Sequence, residues 1–165
     1  MNIVERNEIK SFLKSHLSSS LLEEEILQNI FKLLHLKGKI FNDNETYFSW
    51  GEFYAYVSSF SSNEDTCTQS VIAHAAAIEL PILATDILDE ISDDDQSDEV
   101  ISQLSIGEAV TIANALMIES FQLILNYSKT DMHLKLSIIF RQLQNACSGP
   151  EKQIQLKRLK RYLES

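Results

Sequence analysis

The sequence predicts an all-α helical bundle, and three observations lead there. Four Gly and two Pro in 165 residues make turns scarce and favour long helices. Apolar side chains recur three and four apart through most of the chain, the spacing of one helix face. Apolar residues make up 44% and charged residues 23%, which suits a chain able to bury a core. Residues 1–165 read as a single all-helical domain, with 150–165 a basic tail that can form a separate terminal helix.

The formal charge of −10 argues against non-specific binding to nucleic acid or to an anionic membrane. Two cysteines, Cys67 and Cys147, make neither a disulfide framework nor a metal pair by spacing. No apolar run is expected to reach the length of a membrane span, and Glu5 and Glu8 stand where a signal sequence would be hydrophobic. The expectation is a cytoplasmic protein with reduced thiols that does not span a membrane.

In chain order, Ile3, Val4, Ile9, Phe12 and Leu13 begin a first helix that Ser18, Ser19 and Ser20 break. A stronger helix follows over 21–36, with Leu22, Ile26, Ile30, Leu33 and Leu34 inward. Its first turn is weighted by Glu23, Glu24 and Glu25, as the helix dipole favours. Lys37, Gly38 and Lys39 end it, with glycine at the carboxyl cap. Residues 40–47 are polar and Asn-rich and read as a loop. Trp50, Phe53, Tyr54, Val57 and Phe60 then share one helical face, read as ordinary core rather than as the lining of a substrate pocket. A long apolar helix spans 66–92, Ala-rich at Ala73, Ala75, Ala76 and Ala77, with His74 read as a satisfied core residue. Pro81 removes one hydrogen bond from that helix. A second long helix covers 104–127, opened by Ser105 and Glu108 in a capping-box arrangement. A third covers 131–147, and Gly149 and Pro150 precede the tail with Lys157, Arg158, Lys160 and Arg161.

The centre of the chain is the run from Ile78 to Glu99. Its second half gathers Asp86, Asp89, Glu90, Asp93, Asp94, Asp95, Asp98 and Glu99, while no Lys or Arg occurs between Lys39 and Lys129. On a helix, Asp86, Asp89, Glu90 and Asp93 share one side. Like charges about 4 Å apart repel by about 1 kcal/mol in bulk water and by about 4 at an effective dielectric near 20. A partly buried cluster of this kind calls for a cation. Oxygen-only ligands favour Mg²⁺ over Ca²⁺ or Mn²⁺, so Asp86, Asp89, Glu90 and Asp93 are the candidate metal ligands. Residues 94–99 read instead as a solvated loop, and they lack the mid-loop glycine of an EF-hand. Glu79, two turns before Asp86, reads either as a supporting group behind the metal site or as a buried carboxylate bonded to a neighbouring helix.

The segments Ala77-Ile78-Glu79-Leu80 and Thr85-Asp86-Ile87-Leu88-Asp89-Glu90 resemble the first aspartate-rich region of the trans-isoprenyl diphosphate synthases. They are most similar to the ComQ-like isoprenyl transferases, which modify a competence-pheromone precursor. Asn145-Ala146-Cys147-Ser148-Gly149 is similar to a later landmark of that family, a helix ending in Gln-Gly. The resemblance covers roughly residues 65–154. It implies a bundle like the amino-terminal half of the isoprenoid synthase fold, in an amino-terminal half or shortened homologue. It also implies an allylic prenyl diphosphate held through Mg²⁺, with Leu80, Pro81 and Thr85 beside the substrate. The implied acceptor is a Trp side chain on a peptide pheromone precursor, and a homodimer is compatible with it.

The sequence departs from that family at several points. Thr85 stands where the first Asp of the motif belongs, the paired arginines after the motif are absent, and Lys152 and Gln153 follow Gly149 where acids are expected. A second aspartate-rich motif is absent from these residues, and with that half of the clamp missing a monomer is expected to bind diphosphate weakly or not at all. The rival expectation is a non-catalytic all-helical protein-interaction module or a degenerate, inactive homologue.

Overall fold

A computed structural model describes residues 4–42, 48–61, 68–93 and 101–127, together with Arg141. The chain divides into two units, Met1–Tyr127 and Ser128–Ser165, and the elements below belong to the first. The helix expected over 131–147, the Asn145-to-Gly149 landmark and the basic tail lie outside the described residues.

Among the described residues the architecture is all-α: α1 (Arg6–Ser18), α2 (Glu24–Leu36), α3 (Trp50–Ser61), α4 (Thr68–Asp93) and α5 (Ile106–Tyr127), with no strand. Helix α1 starts on a reciprocal cap, in which the Glu5 N–H donates to the Glu8 carboxylate at 2.8 Å. Helix α2 carries Glu24 and Glu25 in its first turn and ends at Lys37. Residues 39–41 are one 3₁₀ turn rather than the start of a polar loop, because Ile40 and Phe41 are apolar enough to close the core beside α1 and α2. Helix α5 opens on the expected box. The Glu108 N–H donates to Ser105 Oγ at 3.2 Å and the Ser105 N–H to the Glu108 carboxylate at 2.7 Å.

The core is built on α4, which packs against α1, α3 and α5. Leu80, Leu83 and Ile87 of α4 and Ile112, Leu116 and Leu123 of α5 are buried together with Ile9, Leu13, Leu17, Ile30, Leu33 and Leu34 of α1 and α2. Each such side chain is worth about 1.5–3 kcal/mol of burial. Both α4 and α5 have the length and apolar composition of a membrane span, contrary to the expectation that no run reaches it. Their packing on one another accounts for that composition equally well, since a central core helix is apolar around most of its circumference.

The contact between α4 and α5 is antiparallel. Ser70 Oγ of α4 donates to the Tyr127 carbonyl at 2.8 Å, and Ser120 Oγ of α5 donates to the Ala77 carbonyl at 2.7 Å. The second bond answers a local defect. Pro81 lies inside α4 and has no N–H to give the carbonyl four residues earlier, which is Ala77. The Ser120 hydroxyl takes the place of that missing donor in a buried setting.

Helix α3 packs on α4 through small residues, not through its aromatic face. Gly51 and Ala55 are buried, whereas Trp50, Phe53 and Phe60 are 57%, 53% and 65% exposed. The core reading of the stripe is therefore corrected. Of its five members only Tyr54 packs against the core, held by a 3.1 Å hydrogen bond between its hydroxyl and His74 Nδ1. The reason is the Ala-rich first half of α4, which admits a close backbone approach that a large side chain would prevent. A Cβ built on Gly51 would lie 2.5 Å from the Ala75 carbonyl oxygen.

Two outcomes are expected in urea denaturation. Gly51→Ala lowers stability by about 1–3 kcal/mol, the cost of overpacking against backbone. Ser120→Ala costs about 1–3 kcal/mol in the wild type by leaving the Ala77 carbonyl without a donor. In a Pro81→Ala background the Ser120→Ala penalty is smaller, because residue 81 now donates to Ala77. Additive penalties for the pair rule this account out.

Candidate functional site: the acidic end of α4

The polar centre of the bundle lies where the amino end of α3 meets α4. Ser49 is the cap of α3 and Glu52 stands three residues on. The Glu52 N–H donates to Ser49 Oγ at 3.2 Å, and the Ser49 N–H donates to Glu52 Oε2 at 2.8 Å. The Arg6 guanidinium grips Glu52 at two points, Nε to Oε1 at 3.0 Å and Nη2 to Oε2 at 2.7 Å, and a further N–H reaches the Asn42 carbonyl. Glu79 of α4 completes the group. Its side chain is 5% exposed, and its Oε1 accepts the Gly51 N–H at 2.5 Å. A carboxylate at a helix amino terminus answers both the orphan N–H groups and the dipole there.

The two carboxyls of this centre are tuned in opposite directions. Burial pushes Glu79 above its ordinary value of 4.5, and the bonds from Ser49 and Gly51 only partly offset it. Burial acts the same way on Glu52, but the Arg6 guanidinium and the Ser49 bonds together outweigh it and hold Glu52 below 4.5.

Further along α4 the acids separate. Thr85, Asp86 and Asp89 are exposed and share one side of the helix, beyond the turns that α3 covers. The Thr85 hydroxyl donates to the Ile82 carbonyl at 2.8 Å. Glu90 turns to the other flank and forms an ion pair with Lys37 at the end of α2, both side chains about one-fifth exposed. The expectation that no positive side chain reaches these acids is therefore corrected, because the fold carries Lys37 there from more than fifty residues away in sequence. The other Glu90 oxygen is buried without a hydrogen-bond partner. Asp93 closes α4, and its side chain and the acids of 94–99 lie outside the described residues. Of the residues expected beside substrate, Leu80 is wholly buried in the core, Pro81 is half-buried and Thr85 is exposed.

Among the described residues, no group of three His, Cys, Asp or Glu side chains is placed to hold a metal ion. A cavity of about 460 Å³ lined by Gln28, Phe31, Lys32, His35 and Leu36 includes none of these acids. Among the described residues there is thus no all-protein ligand cage for a resident ion. Mg²⁺ that keeps its waters and arrives with phosphate oxygens needs only one or two carboxylates, and Asp86 and Asp89 match that requirement.

No family model, curated protein or solved structure matches the chain.

The residues missed by sequence reasoning are Ser49, Gly51, Glu52 and Arg6. Ser49 and Glu52 form an S-x-x-E box that was legible, but it lay beside a more conspicuous aromatic stripe. The Arg6 contact spans 46 residues and had no local signal.

Glu79 supplies the prediction. Glu79→Ala leaves the Gly51 N–H buried without an acceptor and lowers stability by about 1–3 kcal/mol, whereas Glu79→Gln retains an acceptor and costs less. A carboxyl raised on folding contributes stability that is complete below its unfolded value and is lost as pH rises through its folded value. Relative to wild type, Glu79→Gln therefore gains stability as pH rises from 4 to 8. Glu52, held low, contributes stability above 4.5 that is lost as pH falls through its folded value, and Glu52→Gln should remove that acid-side loss. Urea midpoints against pH for both variants check the two signs.

Proposed function

We propose that this chain is an isoprenyl-transferase-like helical protein in which Asp86 and Asp89 receive the diphosphate of an allylic prenyl substrate through Mg²⁺. The observation that carries the reading is that α4 runs as one helix through Thr85, Asp86 and Asp89, the positions on which the resemblance to ComQ-like transferases rests, although they lie exposed rather than in the partly buried cleft expected of them. Bound there, Mg²⁺ would neutralise charge on the departing diphosphate oxygens. The protein's own part is to hold the two carboxylates in a fixed relation. The bond from Gly51 to Glu79 and the bond from Ser120 to Ala77 anchor α4 within three turns of Asp86. Glu90 contributes to the charge of this end but is engaged by Lys37. The peptide acceptor and the cytoplasmic location belong to the same proposal.

A second reading, a non-catalytic interaction module, is favoured by a separate observation: Phe48, Trp50, Phe53, Tyr56, Val57 and Phe60 stand exposed together on α3.

Isothermal titration with geranyl or farnesyl diphosphate, with and without Mg²⁺, tests the first reading. Wild type should bind only with Mg²⁺, and Asp86→Ala or Asp89→Ala should weaken binding at least tenfold with helix content unchanged by circular dichroism. Equal heats in all three proteins, or binding indifferent to Mg²⁺, overturn it.

A further inference from the structure

We infer that the aromatic face of α3 is a homodimer interface, on which the α3 of a second copy of this chain packs antiparallel across a two-fold axis. The inference rests on the reading of this face as an interaction surface and names its occupant. Trp50, Phe53, Tyr56, Val57 and Phe60 occupy roughly a third of the circumference of α3 at about 100° per residue, opposite the buried Gly51 and Ala55. Phe48 joins the face from just before the helix. The rings are braced against one another. Phe48 stacks on Tyr56 with centroids 6.1 Å apart, Tyr56 meets Phe60 edge-on at 4.9 Å, and Trp50 meets Phe53 edge-on at 6.4 Å. Rings already held in this way lose little freedom when they are covered. Each of the six residues leaves 42–68% of its surface in water, which at about 150–250 Å² per ring amounts to on the order of 600 Å² per copy. That is at or above the largest patch usual for a monomer. Two copies together bury about 1,200 Å², the lower end of the range for a specific, stable interface.

Self-complementarity and neutrality select the second copy. A two-fold contact needs a patch whose residues find their counterparts in that same patch. Trp50 and Phe60 are equidistant from residue 55, and so are Phe53 and Val57. Antiparallel pairing at that level sets Trp50 of one copy against Phe60 of the other and Phe53 against Val57. Tyr56 then lies beside the axis, with Phe48 stacked on it. The face itself carries no net charge. Glu52 is the one charged residue of α3, and the Arg6 guanidinium holds it at 3.0 and 2.7 Å. Glu79 meets α3 on the opposite, buried side. Among the described residues, two copies thus meet with no like charges facing one another, although each chain carries a formal −10. Repulsion between the copies comes from charges outside the face and is screened beyond about 8 Å at about 0.15 M salt. Salt should therefore tighten this contact, the reverse of its effect on a contact between opposite charges. With no Lys or Arg in α3, the helix also lacks the cationic flank that holds an amphipathic surface to an anionic membrane.

Sedimentation velocity of the full chain over a range of micromolar concentrations tests this. The expected result is a reversible equilibrium between one chain and two, tightened at least threefold between about 0.05 and 0.3 M salt. Trp50 is the sole tryptophan and lies in the face, so its emission should shift to the blue in step with the dimer. Phe53→Ser/Phe60→Ser, which changes no charge and no buried residue, should weaken the dimer at least tenfold with helix content unchanged by circular dichroism. Ile106→Ser, at an exposed residue of α5, should leave it intact. A chain that stays monomeric, or a dimer that survives the pair, overturns the inference. So does a dimer that salt weakens, and so does assembly that continues past two chains, since neither is a neutral, closed contact. A monomer that binds phosphatidylcholine vesicles, or that retains another protein from a cell lysate, in a way the pair abolishes, overturns the second copy while leaving an interaction surface. A monomer that does neither sinks the module reading as well.

Discussion

The carbonyl of Ala77 lies inside a long helix yet lacks the backbone donor that such a carbonyl normally has, because residue 81 is proline. Ser120 of α5 supplies the proton from across the helix pair. Two residues further on, Glu79 carries a carboxylate into the protein interior and spends it on the amino terminus of α3. One turn of α4 thus fixes both of its main neighbours through polar groups that have no good alternative partner. Isolated buried polar atoms are costly, so these bonds favour one arrangement of the helices over others more sharply than non-directional apolar contact does.

The outward aromatic face of α3 follows from the same constraint. For the Gly51 N–H to reach Glu79, the two backbones must come close, and only Gly51 and Ala55 on α3 facing the alanines of α4 permit it. Large rings are excluded from that seam by size and so occupy the opposite side of the helix. Electrostatics adds a second layer. The span without cations is tied back to the first two helices by Arg6 on Glu52, His16 on Glu119 at 2.8 Å, and Lys37 on Glu90. Basic or hydrogen-bonding side chains before residue 40 therefore meet buried or half-buried acids after it.

Sequence periodicity made the helices legible to within a few residues, because α2, α4 and α5 are long, strongly apolar and poor in breakers. The Ser105–Glu108 box was legible for the same local reason. Periodicity points to the wrong face of α3 because it identifies a helix face without saying which face is buried. An aromatic stripe and a Gly-Ala stripe on opposite sides of one helix both satisfy the period, and the deciding fact was the smallness of the residues on α4. The sequence leaves Glu79 between two readings, and its bond to Gly51 supports the one in which a neighbouring helix holds the buried carboxylate. The ion pair between Lys37 and Glu90 lay beyond any reading of neighbours in sequence, as all long-range contacts do.

The acids of α4 also show why a cation was inferred from sequence on too strong a premise. The argument required Asp86 and Asp89 to be partly buried, where like charges a turn apart repel by about 4 kcal/mol. Exposed to water, the same pair costs about 1 kcal/mol, which a helix anchored at Ala77 and Glu79 tolerates. The fold therefore does not need a metal at this face. Under the proposed reading, Mg²⁺ would be held there only because a phosphate-bearing ligand brings the rest of its coordination, so ion binding and diphosphate binding would stand or fall together while the stability of the bundle is left unchanged.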